Sequence, residues 1–280
     1  MKLNEDLYWI ASYPKSGNTW VRTMVAVYLK ELGVARGACR FDDLNPYFHQ
    51  VVSPKPLDDL THPELMALRP AVLSQMLEYN NEPMFCKTHH VCGTVAGMLT
   101  FAHAWSSGVI YVVRDPRDVA PSFADHLGES IDHAIEAMAD ETRALKRHDA
   151  NLFHATGTWS RHVESWTERN TVEVHTVRYE DLQEDAAGEL AAMMRAMDFP
   201  VDRALCEAVA EETTFEKMKQ VEAAHGFRGK SSQQDRFFRR GETGTWQETL
   251  TEAQVRRIEA DHGAQMEKMG YELTTAVEVA

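Results

Sequence analysis

Residues 85–91 read FCKTHHV, a lysine and two histidines inside a short apolar run. As a strand, this run alternates, with Lys87 and His89 on one face and Thr88 and His90 on the other. A histidine titrating near neutrality can take the proton of an attacking hydroxyl or amine. A neighbouring ammonium can stabilise charge that develops on a leaving group. His89 is therefore the candidate general base, and Lys87 and Lys15 are the candidate charge stabilisers. Cys86, His89, His90 and Cys92 crowd into the same stretch and raise zinc as a rival reading. Their spacing matches no paired-ligand finger and alternation scatters the four side chains, so no metal is expected.

Residues 13–20 spell YPKSGNTW between an apolar run and an amphipathic one. Proline ends a strand, Ser16 and Gly17 let the backbone curl, and Thr19 and Trp20 open a helix. Free N–H groups at a helix start, a positive dipole end and a lysine make an anion site. Lys15 precedes the glycine, whereas in the triphosphatase pattern GxxxxGK[ST] the lysine follows it. A second basic stretch, RDPRDVAPS, follows the run GVIYVV and places Arg114 at a strand end, with Ser122 about two helical turns later. Arginine offers a planar fork of donors to phosphate and serine adds a hydroxyl. The competing reading makes Arg114, Asp115, Arg117 and Asp118 a solvated charge cluster at a helix start. A third, FFRRGETGTW at 237–246, offers Arg239, Arg240 and Gly241. Tyr179, Trp20 and Phe215 are placed either to stack on a purine or to fill core.

These residues need a scaffold, and the hydrophobic pattern supplies an α/β one. Strands are expected at 7–13, 84–87, 108–113 and 172–177, and helices at 19–32, 116–127, near 182–197 and at 250–269. Strands separated by helices give a single domain with a central parallel sheet flanked by helices on both faces. Residues 33–62, 125–158 and 225–236 read as irregular, the last as a mobile loop. A net charge of −14 argues against a nucleic-acid partner, because such a partner needs a basic face. Cys39, Cys86, Cys92 and Cys206 are scattered and read as free thiols. No apolar run reaches the ~20 residues of a membrane span, and the N-terminus lacks a signal-peptide layout, so a cytoplasmic address without membrane insertion is expected.

Taken together and in this order, the motifs resemble those of the sulfotransferases that use 3′-phosphoadenosine 5′-phosphosulfate (PAPS). YPKSGNTW is similar to the family's YPKSGTTW, with Asn18 as the departure. The arginine–serine pair and the arginine–glycine segment are similar to the family's 3′-phosphate segments, with Arg240 where lysine is usual. WSRHVESW at 159–166 looks like the helix before the fourth strand in bacterial members. The resemblance implies a P-loop-like nucleotide-binding sulfotransferase fold over nearly the whole chain. It implies adenine contacts at Trp20, Tyr179, Thr213, Phe215 and Met218, and the catalytic base at His89. The family often has an apolar residue where this chain has His90, a position expected to face the acceptor. The cosubstrate is then PAPS, the product nucleotide PAP, and no metal takes part. Two other classes stand beside this one: a nucleotide-dependent kinase, which would need magnesium, and a non-catalytic PAP/PAPS-binding module. The acceptor is a hydroxyl or amine of a small molecule, natural product or lipid, selected by residues 41–52, 125–151 and 225–236. The acidic chain argues against a heavily sulfated polysaccharide. ETLTEAQVRR stands where some members carry a dimerisation stretch, which leaves the oligomeric state, a homodimer included, open.

Overall fold

A computed structural model describes residues 7–80, 82–95, 97–146, 152–168, 172–226 and 241–275. Among these residues the strands are β1 (Leu7–Ser12), β2 (Met84–Thr88), β3 (Thr94–Val95), β4 (Met98–Leu99), β5 (Ser106–Val113), β6 (Ala144–Lys146), β7 (Phe153–Ala155) and β8 (Val174–Arg178). The helices are α1 (Asn18–Glu31), α2 (Pro46–Val52), α3 (His62–Tyr79), α4 (Pro116–Leu127), α5 (Ile131–Met138), α6 (Trp159–Thr167), α7 (Tyr179–Glu184), α8 (Ala186–Ala196), α9 (Arg203–Glu212), α10 (Phe215–His225), α11 (Trp246–Thr249) and α12 (Glu252–Lys268).

The central sheet is parallel, in the order β2-β1-β5-β8. Pairing of Ala11 with Thr88, Ser12 with Val112 and Val113 with Arg178 brings the four C-terminal strand ends to one edge. β1 lies between β2 and β5, so the chain leaves β1 toward one side and returns on the other. Crevices at such a switch point are where open α/β sheets bind ligands. The strands read as near-continuous apolar runs because both faces are covered. Leu7, Trp9, Ala11, Val109, Tyr111 and Val113 pack against α3, α4, α6 and α12. Ile10, Phe85, Ile110, Val112 and Val177 pack on the other side against α1, α8 and α9.

The single domain and sheet follow the sequence reading, with local corrections. The helix expected near 182–197 is two, α7 and α8, because the Asp185 carboxylate accepts a hydrogen bond from Gly188 N at 2.8 Å and starts a new helix. Residues 33–62 are not wholly irregular, since Asn45 caps α2 through Tyr47 N. Likewise 125–158 contains α5 and the β6–β7 hairpin. α3 went unread despite its capping box, in which Thr61 and Glu64 each satisfy the other's backbone N–H. Most of 225–236 lies outside the described residues. No described helix is long and apolar enough to cross a membrane.

Candidate active site

The turn after β1 is built for an anion. Lys15 has φ 68° and Gly17 φ 107°, both in the left-handed region. A side chain at Gly17 would also come within 2.5 Å of the Tyr179 ring, so only glycine fits. The N-cap of α1 is Gly17, which offers no side-chain cap to the first N–H groups, and the positive end of the helix dipole faces the turn. Ser16 is fully buried, and among the described residues its hydroxyl has no hydrogen-bond partner. An orphaned hydroxyl, an uncapped helix start and a half-buried lysine fit a phosphate-like group. The Asn18 side chain, by contrast, is bonded toward β1, its Nδ2 donating to Ile10 O at 3.0 Å and to Ser12 Oγ at 3.3 Å.

Arg114, at the end of β5, ties this turn to the next motif. Its Nη1 donates to Lys15 O at 3.4 Å and its Nη2 to Glu242 O at 2.8 Å, while its buried Nε has no partner among the described residues. The guanidinium lies 4.5 Å over the Tyr179 ring. Tyr179 OH donates to Gly241 O at 2.9 Å, and Trp20 meets the same ring edge-on at 5.6 Å. A side chain at Gly241 (φ 70°) would run into Phe215. Lys15, Gly17, Trp20, Arg114, Tyr179, Phe215 and Gly241 thus share one neighbourhood, although they span most of the chain. Ser122 is half-buried on α4, one turn beyond Asp118. Thr213 is buried and its hydroxyl is spent on Val209 O at 2.8 Å, and Met218 sits in the apolar cluster with Trp20 and Tyr179. Arg239 and Arg240 lie outside the described residues.

The rest of RDPRD is not a solvated cluster. Asp115, Arg117 and Asp118 are buried. Arg117 pairs with Asp115 and with Glu259 of α12, each at 2.7 Å, and its guanidinium covers Trp246 at 4.2 Å. Asp118 accepts from Gly244 N at 2.7 Å, Thr245 Oγ1 at 3.1 Å and Trp246 N at 3.0 Å. Asp118, with Arg117 lying over Trp246, holds the segment that carries Gly241 against α4. Sequence reasoning missed that role because these contacts span more than a hundred residues.

The candidate base stands at the end of β2. His89 Nδ1 donates to Ser12 O at 2.7 Å, which leaves the lone pair on Nε2. Burial, then the charges of Lys87 and His154, hold this imidazole well below the usual histidine range, so it is neutral near pH 7. His162 braces the segment, its Nε2 3.3 Å from His89 O and its Nδ1 2.9 Å from Tyr111 OH. Thr88 and His90 face the other way, as alternation requires. There Asp43 is the hub: it accepts from Thr88 Oγ1 at 2.7 Å, Arg69 Nη2 at 3.0 Å and His154 Nε2 at 2.8 Å. Burial works to raise the Asp43 pKa, but Arg69 and His154 outweigh it and keep the carboxyl well below its ordinary value.

Asp43, His90 and His154 lie close enough to suggest a metal, a different set from the one the sequence raised. Their hydrogen bonds describe another arrangement. Ala155 N donates to His90 Nδ1 at 3.1 Å, which leaves the proton, not a lone pair, on His90 Nε2. Arg69 and Thr88 already occupy the carboxylate oxygen nearest to it. Cys86 belongs to the core, and burial pushes its thiol well above the ordinary range. The cluster is a buried ion-pair network beside His89. Asp43, Arg69, His154, His162 and Ser12 are the residues that sequence reasoning did not name.

The family model described as a sulfotransferase domain matches residues 5–270. The chain is 27% identical over 271 residues to sulfotransferase 1A1 of Canis lupus familiaris, covering 95% of this chain and 85% of that one. It is 25% identical over 277 residues to sulfotransferase 1E1 of Homo sapiens, covering 96% and 86%. Among solved structures, retinol dehydratase in complex with androsterone and the inactive cofactor PAP superposes with a TM-score of 0.65 at 20% identity, over 99% of this chain and 84% of that one. Mouse sulfotransferase SULT7A1 complexed with PAP gives 0.63 at 20% identity, over 94% and 85%. At that identity the structures speak to the fold alone.

Proposed function

The chain belongs to the sulfotransferase domain family, and from that premise we propose that it moves a sulfuryl group from PAPS to a hydroxyl or amine of a small acceptor, with His89 as the base. The observation that carries the assignment is the tautomer of His89: Nδ1 is tied to Ser12 O, so Nε2 is bare in a buried site beside Lys87. His89 Nε2 takes the acceptor proton as the acceptor atom attacks sulfur, and the bond between sulfur and the 5′-phosphate oxygen breaks. Lys15 and Lys87 stabilise the charge left on that oxygen. The α1 start with Ser16 and Gly17 holds the 5′ end. Arg114, Ser122 and the segment beginning at Gly241 hold the 3′-phosphate, and Trp20, Tyr179 and Phe215 border the adenine. Sulfuryl transfer carries less negative charge than phosphoryl transfer, so these cations suffice without magnesium. A cytoplasmic address belongs to the same reading.

Thermal melting with PAP, set against ATP with magnesium, tests this. At a hundredfold excess over its Kd, PAP is expected to stabilise the fold by about 2.7 kcal/mol. A shift only with ATP and magnesium would replace this reading with a kinase.

Asp118→Ala tests the docking of the Gly241 segment. Losing three hydrogen bonds to one buried carboxylate is expected to cost about 3 kcal/mol of stability, and PAP affinity should fall at least tenfold. Urea unfolding and a PAP titration measure the two effects. Unchanged PAP affinity would show that the segment is dispensable for the nucleotide.

A further inference from the structure

His154 belongs to the Asp43 hub through one nitrogen only. Its Nε2 donates to Asp43 Oδ1 at 2.8 Å, which leaves Nδ1 with a lone pair. The two ring nitrogens diverge, so a ring that turns Nε2 into the hub turns Nδ1 away from it. Among the described residues Nδ1 has no hydrogen-bond partner, and it is open to solvent although the residue is only 5% exposed. The other unpartnered atoms of the hub, His90 Nε2 and Arg69 Nε and Nη1, are sealed inside. Buried polar side chains are nearly always paired, so a bare nitrogen at the opening of a buried ring marks a place for a donor from another molecule.

That nitrogen stands beside the candidate base. The His154 and His89 rings meet edge to face, with centroids 5.4 Å apart. Burial outweighs the pull of Asp43 and holds the His154 pKa below the usual histidine range, and the charge of Lys87 adds to this, so the ring is neutral near pH 7. Two imidazoles therefore each present a bare nitrogen, one with its proton fixed by Ser12 O and the other by Asp43.

A lone pair without a proton only accepts, so its partner must bring an O–H or N–H. Lys87, whose charge acts on both rings, opposes a second cation there, which favours a hydroxyl over a protonated amine. Because the rings are neighbours, that hydroxyl must lie next to the oxygen that His89 deprotonates. We propose that His154 selects the acceptor: its Nδ1 takes a hydrogen bond from a second hydroxyl adjacent to the one that attacks sulfur, so the acceptor class is a vicinal diol or catechol. The proposal rests on His89 being the base. The second hydroxyl keeps its proton, and Asp43 holds the His154 ring in the orientation that receives it.

Calorimetric titration of the PAP-bound enzyme with 4-nitrocatechol, 2-methoxy-4-nitrophenol and p-nitrophenol tests this. Wild type is expected to bind 4-nitrocatechol about tenfold more tightly than either of the others, the worth of one added hydrogen bond in a buried site. The methoxy probe keeps the neighbouring oxygen and lacks its hydrogen, so it separates a donor requirement from shape. His154→Gln retains an amide that donates to Asp43 and loses the Nδ1 lone pair, and should bring the ratio between 4-nitrocatechol and p-nitrophenol to about one. The kcat/KM ratio of the two probes with PAPS should collapse in the same way. A purely structural His154 would weaken both probes alike and leave the ratio as it was. That result, or a wild type without preference for 4-nitrocatechol, overturns the proposal. Should His154→Gln fail to fold, His154→Leu, which leaves Asp43 to Arg69 and Thr88, gives the same comparison. Absence of PAP binding and of sulfation in wild type would instead remove the functional reading, and titration of the nucleotide-free protein would still decide the role of His154.

Discussion

Replacing His89 with asparagine is expected to lower kcat with PAPS and p-nitrophenol by about a thousandfold, within the range that general-base catalysis supplies, while PAP binding changes less than threefold. Asparagine is the informative choice because its amide can still donate to Ser12 O, as His89 Nδ1 does at 2.7 Å, but it presents no basic nitrogen. The segment should keep its path, since Thr88 and His90 anchor it through Asp43 and Ala155. The neighbourhood of Arg114, Tyr179 and Gly241, proposed for the nucleotide, hangs on other strands, so affinity for PAP should survive. A loss of PAP binding equal to the loss of turnover would make His89 a structural element. Retained turnover would move the base to another residue, with His154 a neighbouring imidazole at 5.4 Å between ring centroids.

What the sequence made legible follows a physical divide. β5 and α4 were readable because local rules decide them: a strand buried on both faces is an apolar run, and proline with an acidic first turn marks a helix start. The turn at Lys15–Gly17 was readable because its left-handed backbone geometry is set by consecutive residues. The break at Asp185 was not, since a continuous Ala/Met/Leu pattern hides a single side-chain cap. Nor was the Asp43 network. It joins residues 43, 69, 88 and 154 from separate elements, and the second aspartate of FDDLN carries no mark of its partners. Asp118 shows the same limit from the other side: its type and place suggested solvent, and only the fold revealed the backbone of 244–246 as its ligand.

That concentration of buried histidines predicts a steep loss of stability in mild acid. His89, His90, His154, His162 and His262 are all pushed below the usual histidine range, primarily by burial, His162 to about 3 and His262 to about 4. In the unfolded chain each titrates near 6.5. Below that pH the unfolded chain binds protons that the folded one refuses, so stability rises with pH up to about 6.5 and falls as pH drops through it. Each such histidine contributes up to about 1.4 kcal/mol per pH unit, and several together are large against a total stability of about 5–15 kcal/mol. The carboxylates act later. Asp43 and Glu259 have depressed pKa values, Glu259 at about 2, and the stability they confer persists until the pH falls below the ordinary carboxylate range near 4. Urea unfolding between pH 7.5 and 5 should therefore show the midpoint dropping continuously below about pH 6.5, well before carboxylates protonate. His262→Gln, at a ring whose Nδ1 lies 2.9 Å from Ser160 Oγ on α6, should flatten that slope by about one histidine's share. A midpoint that stays level down to pH 5 would mean that these imidazoles accept protons in place, and the neutral Nε2 assigned to His89 would then need another cause.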